Sequence, residues 1–308
     1  MTYHTPVLLK EVVAQLQPRS GGLYVDGTVG GGGHAEGILR VCGPDGRLIG
    51  LDWDEEAILR SRERLKEFGA RVELVRASYV ELEKVLMSVG MTTVDAVLFD
   101  LGVSSRQFDE PTRGFSFQRE GPLDMRMSQQ IVASARDIVR SASVEQLVRI
   151  FAEYGEERRA AAIARRIVRE REQVGITTTT QLAQLVERVL GPKRGPTHPA
   201  TRVFQALRIV VNDELGNLRS GLAAAMRVLK SGGRVAVISF HSLEDRIVKQ
   251  FFVEHSTACV CPPDFPKCVC GRTQSLRVIT RKPITASAEE VNLNPRARSA
   301  KLRVAERI

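Results

Sequence analysis

Residues 24–37 read YVDGTVGGGGHAEG. An apolar run ends in Asp26, glycines occupy 30–33, and His34 opens what reads as a helix. Consecutive glycines are costly in regular structure, because glycine loses the most backbone freedom on folding. A strand, a glycine-rich turn and a helix make a nucleotide-binding pattern: a ligand can approach bare backbone, and the helix N-terminus offers free N–H groups. This stretch therefore predicts the first βα junction of a doubly wound, parallel sheet.

Working outward, the flanks keep the same alternation. TPVLLKEVVAQLQP (5–18) predicts a helix with Thr5 as N-cap, Pro6 in its first position and Pro18 as its stop. GLYVD (22–26), RLIGLD (47–52), RVELVRA (71–77) and VDAVLFDLG (94–102) read as strands. Helices AEGILRVCG (35–43), EEAILRSRERLKEF (55–68) and YVELEKVLMSVG (79–90) separate them, with Asp54 capping the second and Gly69 ending it. The pattern breaks at about Ser104. Residues 104–126 are polar and glycine-bearing, and 133–190 read as helix only. Thr178 and Gln181 suit a capping box there. RVAVISF (234–240) restores the alternation, and SLRVIT (275–280) and AKLRVAERI (300–308) read as two closing strands. The expected organisation is an α/β domain over 1–104 and 211–308, interrupted by an all-helical insert over 105–210.

The net charge is +9. Arg158, Arg159, Arg165, Arg166, Arg169 and Arg171 crowd one helical stretch, and Arg296, Arg298, Lys301, Arg303 and Arg307 crowd the C-terminus. Such clustering points to a polyanionic partner, with a solvated basic surface as the plainer alternative. Arg158, Arg165 and Arg169 are expected on one helix face, opposite Ile163 and Ile167, and Lys193 and Arg194 lie on a loop that can also reach a phosphate. No stretch approaches the roughly 18 apolar residues of a membrane span. The N-terminus does not read as a secretory signal, so a cytoplasmic location is expected.

Glycine spacing argues against a dinucleotide. Counting from Gly30 and Gly32, the third position is Ala35; counting from Gly31 and Gly33, it is Glu36. Only the relaxed fingerprint is met. Asp52, ending the second strand, suits two ribose hydroxyls. Tyr79 follows the third strand, where an adenine would lie; it either stacks there or covers core. Asp100 ends the fourth strand at the ligand-binding edge of such sheets, and His241 follows the fifth.

The segments HTPVLL, DGTVGGGGH, FDLGVSS, RGFSF, GPLDMRM, HPATRVFQALRIVVNDEL, ISFHSLEDRIVK and NPRARSAKLRVAER together resemble the ribosomal small-subunit RNA methyltransferase H (MraW) family, nearly end to end. The resemblance implies a class I S-adenosylmethionine-dependent methyltransferase sheet, Rossmann-like, with an inserted helical domain. It implies S-adenosylmethionine as cofactor and N4-methylation of a cytidine in 16S ribosomal RNA, at the decoding centre of the small ribosomal subunit. The family's cofactor positions map onto Gly32, Gly33, His34, Asp52, Tyr79, Asp100 and Gln107. Gly30 and Gly31 then serve the turn itself. A homodimer is left open. The exocyclic amine of cytosine needs a hydrogen-bond acceptor; Asp100 and His241 are the two candidates, since an Asn/Asp/Ser-Pro-Pro-aromatic motif is replaced here by DLGVSS. Phe240, Phe115 and Phe117 are candidates for stacking on an extruded base, each also readable as core.

Cys259, Cys261, Cys268 and Cys270 form two C-x-C pairs. They offer thiolates for at most a structural zinc, with spacing unlike the usual C-x2-C knuckle, and nothing calls for a catalytic metal. Cys42 reads as core.

Overall fold

A computed structural model of the chain describes residues 6–192, 198–261 and 269–308. The roles expected of Thr5, Lys193, Arg194 and Cys268 lie outside the described residues. The chain divides into two compact units, Met1–Gly102 with Leu215–Ile308, and Val103–Glu214.

The strands are β1 (Leu23–Asp26), β2 (Arg47–Asp52), β3 (Val72–Arg76), β4 (Val94–Asp100), β5 (Leu229–Ser239), β6 (Leu276–Val278), β7 (Ile284–Thr285) and β8 (Lys301–Arg307). The helices are α1 (Leu9–Leu16), α2 (Gly33–Val41), α3 (Glu55–Arg64), α4 (Leu82–Ser88), α5 (Ser105–Asp109), α6 (Ala135–Ser141), α7 (Val144–Glu153), α8 (Ala160–Gln173), α9 (Thr179–Leu190), α10 (Thr201–Asn212), α11 (Glu214–Val228), α12 (Ser242–Ser256) and α13 (Ala288–Leu293).

In the first unit the strands form one sheet, ordered β3-β2-β1-β4-β5-β8-β6, with β7 paired to β8 beside this path. β1 to β5 are mutually parallel, and β8 runs antiparallel to β5, β6 and β7. The order reverses between β1 and β4, which makes their carboxyl ends the switch point where ligands bind such sheets. The register brings the acids there: Asp26 lies opposite Gly50 and Leu98, and Asp100 opposite Ile238. This is a Rossmann-like, doubly wound α/β sheet. The closing segment holds three strands rather than two, because β7 is too short for its periodicity to show.

Alternation along the strands separates the two faces. Tyr24, Leu48, Ala96, Leu98, Ala236, Ile238, Leu302 and Val304 share a buried cluster with Val12 and Leu16 of α1 and Ile38 and Leu39 of α2. Gly37 allows α1 and α2 to approach, since a Cβ there would lie 2.6 Å from Leu9 Cδ1. The start of α1 differs from expectation. Leu8 is left-handed at φ 55°, and its N–H donates to Glu290 Oε1 at 2.7 Å. A residue so placed cannot continue a helix, so α1 starts at Leu9 and Pro6 stays outside it.

The second unit is built on capped helices. Capping boxes pair Ser104 with Gln107, Ser134 with Asp137, Ser143 with Gln146 and Thr178 with Gln181. Its core includes Leu147, Phe151, Ile163, Ile167, Leu182, Leu185 and Leu207, all fully buried. Asn212 ties the polar segment to it, donating to the Met125 carbonyl and accepting the Met127 N–H, each at 2.8 Å. The boundary at 210 read from the sequence cuts α10, which runs to Asn212 before Asp213 turns the chain at φ 45°. The unit ends at Glu214 instead.

The basic clusters are sorted by the fold. Arg158 precedes α8 and cannot share a helical face with Arg165 and Arg169, which correct the expected trio to an exposed i,i+4 pair. Arg171 donates to the Val139 and Ala142 carbonyls, so it braces the unit. At the C-terminus Arg303 is 7% exposed and bonded to Asp245 at 2.6 Å, Lys301 also faces Asp245, and Arg307 donates to the Ser275 carbonyl. Much of that cluster is internal bracing rather than a polyanion surface.

Candidate active site

The glycine loop is strung across the carboxyl ends of three strands. Gly27 N–H donates to the Leu98 carbonyl at 2.9 Å, and Val29 N–H to the Leu51 carbonyl at 2.8 Å. Gly30, at φ 53°, donates to Asp52 Oδ2 at 3.0 Å. The glycines then differ in what their bare Cα serves. A Cβ on Gly33 would sit 2.9 Å from Pro6 Cγ, and one on left-handed Gly32 would sit 3.4 Å from Ser61 Cα. Around Gly31 a Cβ would meet nothing within 4 Å. The left-handed backbone explains Gly32 and packing explains Gly33, and the accessible bare backbone is at Gly31, a residue the sequence assigns only to the turn. α2 starts just beyond with no side-chain cap among the described residues, and such a helix start suits an anion.

Acids converge behind this loop. Asp26 is 1% exposed; its Oδ1 accepts the Thr28 N–H at 3.1 Å and its Oδ2 is buried with no hydrogen-bond partner among the described residues. Asp100 likewise has a buried Oδ1 with no hydrogen-bond partner among the described residues, while its backbone N–H donates to Thr28 Oγ1 at 2.6 Å. Burial pushes both carboxyls up to about 7. The nearby Glu244 adds to the rise at Asp100. Asp52 is pushed up to about 6 by burial, against the backbone N–H groups of Asp54 and Gly30 that its oxygens accept. His34 is buried, which holds its pKa below the ordinary value. Its Nε2 donates to the Val7 carbonyl at 2.8 Å, so the neutral ring turns the Nδ1 lone pair toward Asp100 Oδ2, 3.5 Å away. Buried carboxylates with unused lone pairs are the complement of a cationic ligand.

The remaining candidates fall as follows. Tyr79 packs its ring 5.0 Å from that of Phe99 and covers Gly221, where a Cβ would lie 2.4 Å from Tyr79 Cδ2. It therefore has a packing role at the end of β3. Gln107 belongs to the second unit, and its Oε1 accepts the Ser104 N–H at 3.0 Å in the α5 capping box. His241 is the N-cap of α12; its Nδ1 accepts the Glu244 N–H at 3.4 Å and its Nε2 lies 3.2 Å from Glu244 Oε1. Phe115 is buried core, and Phe117 packs 4.8 Å from Phe204 and 4.6 Å from His198. Phe240 is half-buried beside the β5 end.

Thr28 and Glu244 escaped sequence reading. Thr28 looks like a loop filler, and its hydroxyl meets β4 only because β1 and β4 are neighbours. Glu244 is 2% exposed and accepts the Phe240 N–H at 2.8 Å. Its signal was present as a capping box opened by a histidine, an uncommon N-cap.

The MraW methylase family model matches residues 1–308. The chain belongs to the MraW methylase family. It is 52% identical to a protein of Carboxydothermus hydrogenoformans, over 99% of this chain and 98% of that one, and 52% identical to one of Trichlorobacter lovleyi over the same shares. It is 51% identical to one of Thermomicrobium roseum, over 100% of this chain and 94% of that one. Each of the three is named ribosomal RNA small subunit methyltransferase H. The cofactor of this MraW methylase is S-adenosylmethionine. The site's residues suit it: its sulfonium and α-ammonium are cations, and buried Asp26 and half-buried Asp52 and Asp100 are acids that a cation would pair with.

Proposed function

We propose that this MraW methylase transfers a methyl group to N4 of a cytidine in 16S ribosomal RNA, in the decoding centre of the small ribosomal subunit, in the cytoplasm. One observation carries the substrate: relatives matched over nearly their full length bear the name ribosomal RNA small subunit methyltransferase H. In this reading residues 1–102 and 215–308 do the chemistry and the helical insert 103–214 meets RNA, with Arg165 and Arg169 on phosphates.

S-adenosylmethionine supplies a methyl group already activated by its sulfonium. The chain's task is then placement and proton handling. The Gly31 backbone and the uncapped start of α2 hold the methionine end, near Gly32, Gly33 and His34. The carboxylate oxygens of Asp52 take the ribose hydroxyls, and Tyr79 borders the adenine. Asp100 accepts a hydrogen bond from the cytosine amine, which frees the nitrogen lone pair for attack. The amine's proton would have to leave once the nitrogen carries the methyl group, and a carboxyl poised near 7 is matched to accept it at neutral pH. His241, next along the same sheet edge, is the alternative acceptor.

The test is methyl-tritiated S-adenosylmethionine offered with assembled small subunits and with naked 16S RNA, followed by mapping of the labelled nucleotide. Label on a cytidine N4 is expected. Label on another base would refute the substrate, and no label on either RNA would refute the activity.

A further inference from the structure

Cysteine is normally a buried, hydrophobic residue, as Cys42 is here. Three others are not. Cys259 is exposed, and Cys261 and Cys270 are half-buried, in the segment between α12 and β6. Their neighbours Val260 and Val269 are exposed too, so no apolar core recruits these sulfurs. Yet the Sγ atoms of Cys259, Cys261 and Cys270 all lie within 4.8 Å of one another. Side chains on a surface loop do not gather in this way without a reason.

The spacing decides between two reasons. Cys259 and Cys270 sulfurs are 3.9 Å apart. A disulfide requires about 2.05 Å. Thiolates on a tetrahedral zinc, each about 2.3 Å from the metal, lie about 3.8 Å apart. Backbone donors also point at the sulfurs. Cys261 N–H reaches Cys259 Sγ and Val269 N–H reaches Cys261 Sγ, each at 3.4 Å. Such N–H to sulfur bonds orient and stabilise thiolate ligands. Among the described residues the cluster contains no carboxylate, and soft thiolate donors select zinc over magnesium, calcium or manganese.

We propose that Cys259, Cys261 and Cys270 bind a structural zinc ion that clamps the segment linking α12 to β6. The proposal rests on these three sulfurs alone; Cys268 lies outside the described residues. The clamp has a mechanical sense. The chain returning from it is tied to α12, with Arg272 on Glu254 at 2.7 Å and Ser275 N–H on the His255 carbonyl at 2.9 Å. It then enters β6 at the sheet edge. A metal crosslink between Cys259, Cys261 and Cys270 restrains the chain as a disulfide would. None of the three cysteines touches the acids at the switch point, so the ion would not take part in methyl transfer.

The full chain, purified with reductant and without chelator, should contain about one zinc per chain by elemental analysis. After chelation, added Co2+ should give the visible bands and the near-ultraviolet sulfur-to-cobalt band of a tetrahedral thiolate site. Cys259→Ser, Cys261→Ser and Cys270→Ser should each cut metal affinity by roughly ten-fold or more, whereas Cys42→Ser retains it. Calorimetry with S-adenosylmethionine reports whether each variant is folded; an unfolded variant is replaced as a test by the cobalt spectrum of the unaltered chain. A chain that takes up neither metal, a metal content indifferent to the three serine substitutions, iron in place of zinc, or a Cys259–Cys270 disulfide under reductant would each overturn the proposal.

Discussion

Replacing Asp26 by Asn should make the ligand-free chain more stable as pH rises, although Asp26 sits at the heart of the binding crevice. In the unfolded chain this carboxyl ionises near 3.8, and in the folded chain near 7. The sign follows from proton uptake. Below the unfolded value both states are protonated and the carboxyl costs nothing. As pH rises the unfolded state ionises first, and stability falls until the folded carboxyl has ionised too, at about 7. At about 1.4 kcal/mol for each step of one in pKa, the rise from 3.8 to about 7 costs about 4 kcal/mol at and above neutral pH. Asparagine never ionises and keeps an oxygen for the Thr28 N–H. Its amide donor meets the position where Oδ2 has no hydrogen-bond partner. That costs about 1–3 kcal/mol at every pH. Urea unfolding of both chains between about pH 4 and about pH 8 should therefore show the variant gaining on the parent by about 1.4 kcal/mol per pH unit, levelling above 7. A difference that stays flat from about pH 5 to about pH 7, or that shrinks, would refute the buried, uncompensated charge. S-adenosylmethionine should meanwhile bind the variant more weakly, because one of its anionic partners is gone.

Three further outcomes follow from the site. Affinity of the parent chain for S-adenosylmethionine should rise between about pH 5 and about pH 8 as Asp52, Asp26 and Asp100 ionise, measured by calorimetry; an affinity that falls over this range would contradict their role. Gly31→Ala should leave the melting temperature unchanged but weaken cofactor binding, whereas Gly33→Ala should lower the melting temperature by pressing on Pro6; equal effects on both readouts would show that the loop has no open side. Arg165→Ala with Arg169→Ala should reduce the salt dependence of RNA binding by about two in log–log slope, with cofactor affinity unchanged; an unaltered slope would remove α8 from the RNA surface.

The alternation of strands and helices was readable because parallel strands buried on both faces are continuous apolar runs between turn signals. Local chemistry was readable too. Asp54 caps α3 and Thr178 with Gln181 caps α9, since a cap depends on neighbours in sequence. The start of α1 was not, because Leu8 is held by Glu290 from the far end of the chain. Charge misled where pairing is tertiary: Arg303 looks like part of a basic tail until Asp245 meets it across the fold.

By itself the sequence determined which residues stand at strand ends and helix starts: Asp26, Asp52 and Asp100, with glycines between. It also determined the family, since the matching segments run the length of the chain. Only the tertiary structure decided what those residues are like. Burial gives Asp26 and Asp100 proton affinities near neutrality, and the left-handed φ of Gly32 and the approach of Pro6 to Gly33 distinguish both from Gly31. The meeting of Cys259, Cys261 and Cys270 is of the same kind. Identity along a chain is written residue by residue, whereas ionisation, open space and metal geometry depend on distances that exist only once the chain has folded.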